Sequence, residues 1–214
     1  VGVRRDEWIF KHACDFATGI FMSTGELLPM FVGYSEDCAY ILPMILGGKT
    51  YEEECQKKQE FLAFLKLFFT RHGVDHYLCM HEGWMLRTRD PLARQKWKGS
   101  LENHPGRIET LIVQSVTHTR KRVKIWDIER EGKDSVTLVP QDGPNKDSQW
   151  GGSFFECLPP EGLKSLQAAE LKVLDKLLEM SGFEVARMPI KGMPTEDDED
   201  QESRPSGDSD DARL

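Results

Sequence analysis

"IETLIVQSVTHTRKRVKIWDIEREGKDSVTLVP" (residues 108–140) is the stretch whose reading decides the fold. It contains three runs rich in β-branched and large apolar residues, at 108–117, 122–130 and 135–140. The polar turns "HTRK" and "EGKD" separate them. Strands at this close spacing, broken by turn residues, form an antiparallel meander. The sheet is therefore expected to be antiparallel.

Working outward, residues 76–84 ("HYLCMHEGW") predict a further strand. Its alternation puts Tyr77, Cys79 and His81 on one face, and His76, Leu78, Met80, Glu82 and Trp84 on the other. Upstream of it, "TYEEE" opens a helix: Thr50 and Glu53 make the T-x-x-E capping box, and Glu52 to Glu54 suit the positive end of the helix dipole. The stripe Tyr51, Cys55, Leu62, Leu65 and Phe69, thickened by Phe61 and Phe68, carries it to Arg71, and Gly73 stops it. Two apolar segments, 27–34 and 39–46, read as a hairpin about Ser35-Glu36-Asp37. Pro29 and Pro43 lack ladder donors, so at least one of these strands is expected to be an edge or bulged. A first helix is expected over 6–18, with Ile9, Ala13, Phe16 and Ile20 facing inward and Gly19 ending it. "SFFECLP" reads as a short last strand. A helix over 163–180 follows, with Leu166, Val173, Leu174, Leu177 and Leu178 inward and Gly182 as its stop. Strands in runs with few intervening helices mean α+β: a mainly antiparallel sheet of about five to seven strands flanked by two or three helices. The order resembles the profilin-like or roadblock-like layout in topology, which carries no function.

The net charge of −8 is unevenly distributed. Residues 195–214 hold nine acids against two arginines, −7 of the total, leaving −1 on the other 194 residues. One domain over 1–192 and a disordered acidic tail over 193–214 are expected, because the tail has almost no apolar surface to offset ordering entropy. The near-neutral body gives no global footprint for nucleic acid. Five dispersed cysteines, never in C-x-x-C, argue for a reducing cytoplasm and against a disulfide scaffold. Cys55 and Cys79 sit in apolar patterns and are expected to be buried. No window approaches the roughly 18 apolar residues of a membrane span.

Three places carry chemistry. His72, His76, Cys79, His81 and Glu82 fall within eleven residues. Strand alternation lets only Cys79 and His81 point together, however, short of the three or four ligands zinc needs. No metal and no cofactor are expected. Glu82 beside Trp84 could have its pKa raised by desolvation and serve as a general acid or base; it could equally pair with Arg87, Arg107 or Lys124. "NHPGRIE" (103–109) is a turn that presents His104, Arg107 and Glu109. Glu109 could orient His104 while Arg107 binds an anion, or all could serve the turn and its neighbours. The basic stretch "RTRDPLARQKWKG" (87–99) with Trp97, together with a basic hairpin carrying Arg120, Lys121, Arg122, Lys124 and Trp126, is the only plausible nucleic-acid surface.

The blocks "GELLPMF" (25–31), "EGW" (82–84) and "NHPGRIE" (103–109) resemble a loosely defined group of small phage and bacterial α+β proteins with G-x-L-x-P-M, E-x-W and H-P-x-R-x-E in this order. The likeness spans residues 8–160. It implies a prokaryotic or viral source and ties Glu82, His104, Arg107 and Glu109 into one constellation without naming a reaction. The expectation is a non-enzymatic accessory or interaction protein with a protein partner. A small hydrolase-like enzyme using those four residues, and a nucleic-acid-binding module, are the alternatives.

Overall fold

A computed structural model describes residues 5–44, 50–86, 97, 101–131, 135–141, 153–160, 165–181 and 185–190. The chain order is α1 (Arg5–Thr24), β1 (Met30–Tyr34), β2 (Cys38–Pro43), α2 (Tyr51–His72), β3 (His76–Leu86), β4 (Arg107–Thr117), β5 (Lys121–Glu131), β6 (Ser135–Pro140), α3 (Ala168–Ser181) and β7 (Ala186–Pro189). Single 3-10 turns stand at Leu101–Asn103 and Ser153–Phe155. The seven described strands form one sheet in the order β6-β5-β4-β3-β1-β2-β7, every pair antiparallel. The fold is α+β, and the meander over β4 to β6 is as the sequence indicates. The split at residue 192 and the acidic tail lie outside the described residues.

Alternation along the strands makes two cores. On one face, Ile9, Ala13, Ala17 and Phe21 of α1 meet Leu78, Met80, Leu111, Val113, Trp126 and Ile128. On the other, the Phe61–Phe69 stretch of α2 and Leu174 of α3 cover Phe31, Tyr40, Tyr77, Cys79 and Val116. The α2 cap forms as expected: Glu53 N–H donates to Thr50 Oγ1 at 3.2 Å, and Gly73 closes the helix at φ 62°. Gly33 has a separate task. A Cβ there would lie 2.9 Å from the Phe69 ring, so the bare glycine lets α2 approach β1.

Several expectations are corrected. α1 does not stop at Gly19 but runs to Thr24, ending at Gly25 with φ 79°. A mid-helix glycine costs only about 1 kcal/mol relative to Ala, whereas fully burying a side chain such as Phe21 contributes about 1.5–3 kcal/mol. The longer helix buries the 9, 13, 17, 21 series and turns Phe16 and Ile20 outward. Cys55, on the first turns of α2, is exposed. Val173 faces solvent, and "SFF" is a 3-10 turn rather than a strand. The register of β1 on β2 is unbroken and both strands are interior, so neither is an edge or bulged. Pro29 instead precedes β1, and Pro43 is the last residue of β2. β7 has no counterpart in the sequence reading.

The true edges carry prolines. Gln141 N–H donates to Ile125 O, which makes 141/125 a hydrogen-bonded pair and turns the backbone of Pro140 away from β5. Ile190 N–H donates to Asp37 O in the same way, and Pro189 turns away from β2. Each edge strand thus places a missing N–H on its free side. No described helix is long and apolar enough to cross a membrane.

Candidate functional site

The carboxylates meet, but through a residue outside the three blocks. Arg130 of β5 grips Glu109 with two bonds, Nη2 to Oε1 at 2.7 Å and Nε to Oε2 at 3.0 Å. The same Nη2 lies 3.9 Å from Glu82 Oε2, and the guanidinium reaches Gly25 O at 3.4–3.5 Å. Glu82 Oε1 accepts the Leu27 N–H at 2.5 Å. The three blocks therefore converge on one structure: the turn that leaves α1. Thr24 Oγ1 donates to Glu26 O and closes the turn from within. Burial, chiefly, pushes the Glu82 pKa above the usual carboxylate range, with Glu109 and Glu26 adding to it and the Leu27 amide and Arg130 opposing.

This clamp shapes what the loop offers to solvent. Leu27 is buried, 3% exposed, whereas the next residue, Leu28, is 71% exposed, more than any other large hydrophobic described. Trp84 follows Glu82 by two residues on the same face of β3, about 7 Å along the strand, and stands opposite Glu109. It is half-buried, and the Arg107 guanidinium lies over its ring at 4.9 Å.

His104 stands apart from the carboxylates. Its Nδ1 accepts the Gly106 N–H at 2.9 Å, its carbonyl accepts the Arg107 N–H, and its ring meets Trp97 edge-on at 4.6 Å. It is hydrogen-bonded to neither Glu82 nor Glu109. The geometry thus joins Glu82 with Glu109, joins Arg107 with Trp84, and gives His104 to the turn. Arg130, the hub, was missed by the sequence reading; among the described residues Glu82 pairs with it and not with Arg107 or Lys124, and Arg87, like the rest of the basic stretch 87–99 apart from Trp97, lies outside the described residues.

The basic hairpin is distributed over both faces of the sheet. Arg122 reaches Asp6 at 3.3 Å and Glu7 at 3.4 Å, with only 13% of its side chain exposed, and Arg120 lies 3.9 Å from Asp6. Trp126 is a core residue. Lys124 approaches its ring at 6.0 Å, and Lys121 lies over Phe155 on the opposite side.

The histidines scatter as well. His72 packs on Tyr40 and Phe68, His76 Nε2 lies 2.9 Å from Ser115 Oγ, and His81 Nδ1–H donates to Glu82 O. Burial pushes the His76 pKa down to about 4. Among the described residues no three His, Cys, Asp or Glu side chains are placed to hold a metal ion. A cavity of about 400 Å³ opens beside Asp6, Asp75, His76 and His118, where α1 begins. The sequence reading did not point to it, since its walls come from three separate elements.

No protein-family model, curated protein or solved structure matches this chain.

Proposed function

We propose that this protein is a non-enzymatic accessory module that binds another protein through the surface beyond the end of α1, centred on Leu28 and Trp84. The observation that carries the reading is the clamp. Glu82, Glu109 and Arg130 hold a loop whose next side chain, Leu28, is 71% exposed. A solvated leucine on a floppy loop loses rotamer and backbone freedom when a partner covers it, but a pre-ordered one loses little. Trp84 adds the residue type most often found at the energetic centre of an interface.

The same arrangement weakens a catalytic reading. Glu82 and Glu109 are engaged with Arg130, and His104 accepts from a turn amide away from both. An acid/base pair needs its members within hydrogen-bond reach of a common substrate.

The test uses the full chain as bait in an extract of its source cells, beside Leu28→Asp and Trp84→Ala. A specific partner should be retained by the wild type and lost by both variants, with their melting transitions unchanged. Hydrolysis of any ester or phosphoester that Glu82→Gln and His104→Ala both abolish would overturn the proposal.

A further inference from the structure

The surface beyond α1 carries one guanidinium that has no carboxylate or hydrogen-bond partner among the described residues. Arg5 donates to Ser35 O, Arg71 pairs with Asp175, Arg120 and Arg122 with Asp6, Arg130 with Glu109, and Arg187 donates to Cys38 Sγ. Arg107 alone among the described arginines makes neither an ion pair nor a hydrogen bond through its guanidinium; its recorded contact is the Trp84 ring, at 4.9 Å. The nearest same-face carboxylate on its own strand, Glu109, is held bidentately by Arg130. Arg107 is also exposed.

Stacking on an aromatic ring fixes the plane of a guanidinium while leaving its N–H edge free, and that edge matches the two oxygens of a carboxylate. Phosphate groups are usually gripped by clusters of arginines, and no second unpaired guanidinium is described here. Apolar surface lies beside this one in Trp84, and the exposed Leu28 follows Leu27, whose amide is held by Glu82, two residues before Trp84 on the same strand face. A single oriented guanidinium next to apolar side chains fits a carboxylate with a hydrophobic neighbour.

We infer that Arg107, stacked on Trp84, receives an aspartate or glutamate of a partner's short linear segment, whose adjacent aliphatic or aromatic side chain packs against Trp84 and Leu28. This rests on the binding reading above and names the partner's chemistry.

The experiment is selection of a phage-displayed library of random short peptides on the intact full chain. Calorimetry then follows with the synthetic consensus peptide and its Asn/Gln counterpart. Enriched peptides should carry Asp or Glu beside Leu, Phe or Trp. Their affinity should fall about tenfold or more, roughly 1.4 kcal/mol, on Arg107→Ala or on replacement of the peptide's acid. Arg107→Lys, which keeps the charge but not the planar fork, should recover only part of the loss. Peptides that lack an acid, bind equally well to Arg107→Ala and are lost on Leu28→Asp would overturn this inference while leaving the binding surface standing. Selection of no peptide dependent on Leu28, Trp84 or Arg107 would remove both.

Discussion

Glu82 shows how one side chain serves two ends. Its Oε1 fixes the Leu27 amide and its Oε2 faces Arg130, yet burial still holds its pKa above the unfolded value of 4.5. For an acid shifted this way, the stabilising contribution is fully present below pH 4.5, where Glu82 is protonated whether folded or not. It is lost as pH rises through the raised folded pKa, because ionising the partly buried group costs more in the native state. Glu82→Gln keeps an oxygen for the Leu27 amide and does not titrate. Urea unfolding of both proteins between pH 4 and pH 7 should show the variant gaining stability relative to wild type as pH rises. A flat difference, or one of opposite sign, would show that the carboxylate is not desolvated. Of this cluster, Glu82 and Glu109 were legible from the sequence, because alternation places Glu82 beside Trp84 and the turn starts β4 just before Glu109. Arg130 was not. It is one charge among several at the end of β5, and only the pairing of β5 on β4 brings it to Glu109.

At the scale of elements, the close approach of α2 to β1 depends on Gly33. Gly33→Ala would push a methyl to 2.9 Å from the Phe69 ring and 3.2 Å from Val74, both buried. Overpacking of this kind typically costs about 1–3 kcal/mol, and the loss should appear as a lower urea midpoint with an unchanged m-value. The central strands and α2 could be read from the sequence since each has an unambiguous period and its own stop signals. The two misread helices share a cause: periodicity marks where apolar residues recur, whereas their orientation depends on which turn meets the sheet. α1 is carried through Gly19 by the burial of Phe21, and Val173 lies just off the line that meets α2. β7 is invisible for a different reason. "ARMP" has no alternation, all four residues are exposed, and its strand geometry comes from pairing with β2.

At the scale of the whole molecule, charge and edges decide how copies meet. Residues 195–214 carry −7 of the net −8. A chain ending at 194 should therefore elute far earlier from an anion exchanger, and its melting transition should not move if the domain ends where the composition changes. The sheet edges bear on self-association more directly. β6, Ser-Val-Thr-Leu-Val-Pro, has no charged residue to deter a second strand. Its described protection is Pro140, whose missing N–H faces the open side, as Pro189 does on β7. An open edge with intact donors is a template for another chain. Pro140→Val restores one outward donor next to the outward amides of Leu138 and Val136, giving a continuous row. Sedimentation of that variant should show concentration-dependent association where the wild type shows none. Pro140→Lys breaks the proline equally but adds an edge charge, and it should stay monomeric. If the valine variant also remains monomeric at high concentration, the proline is not what keeps this edge single. The binding surface beyond α1 would then be the place to look for contacts between copies.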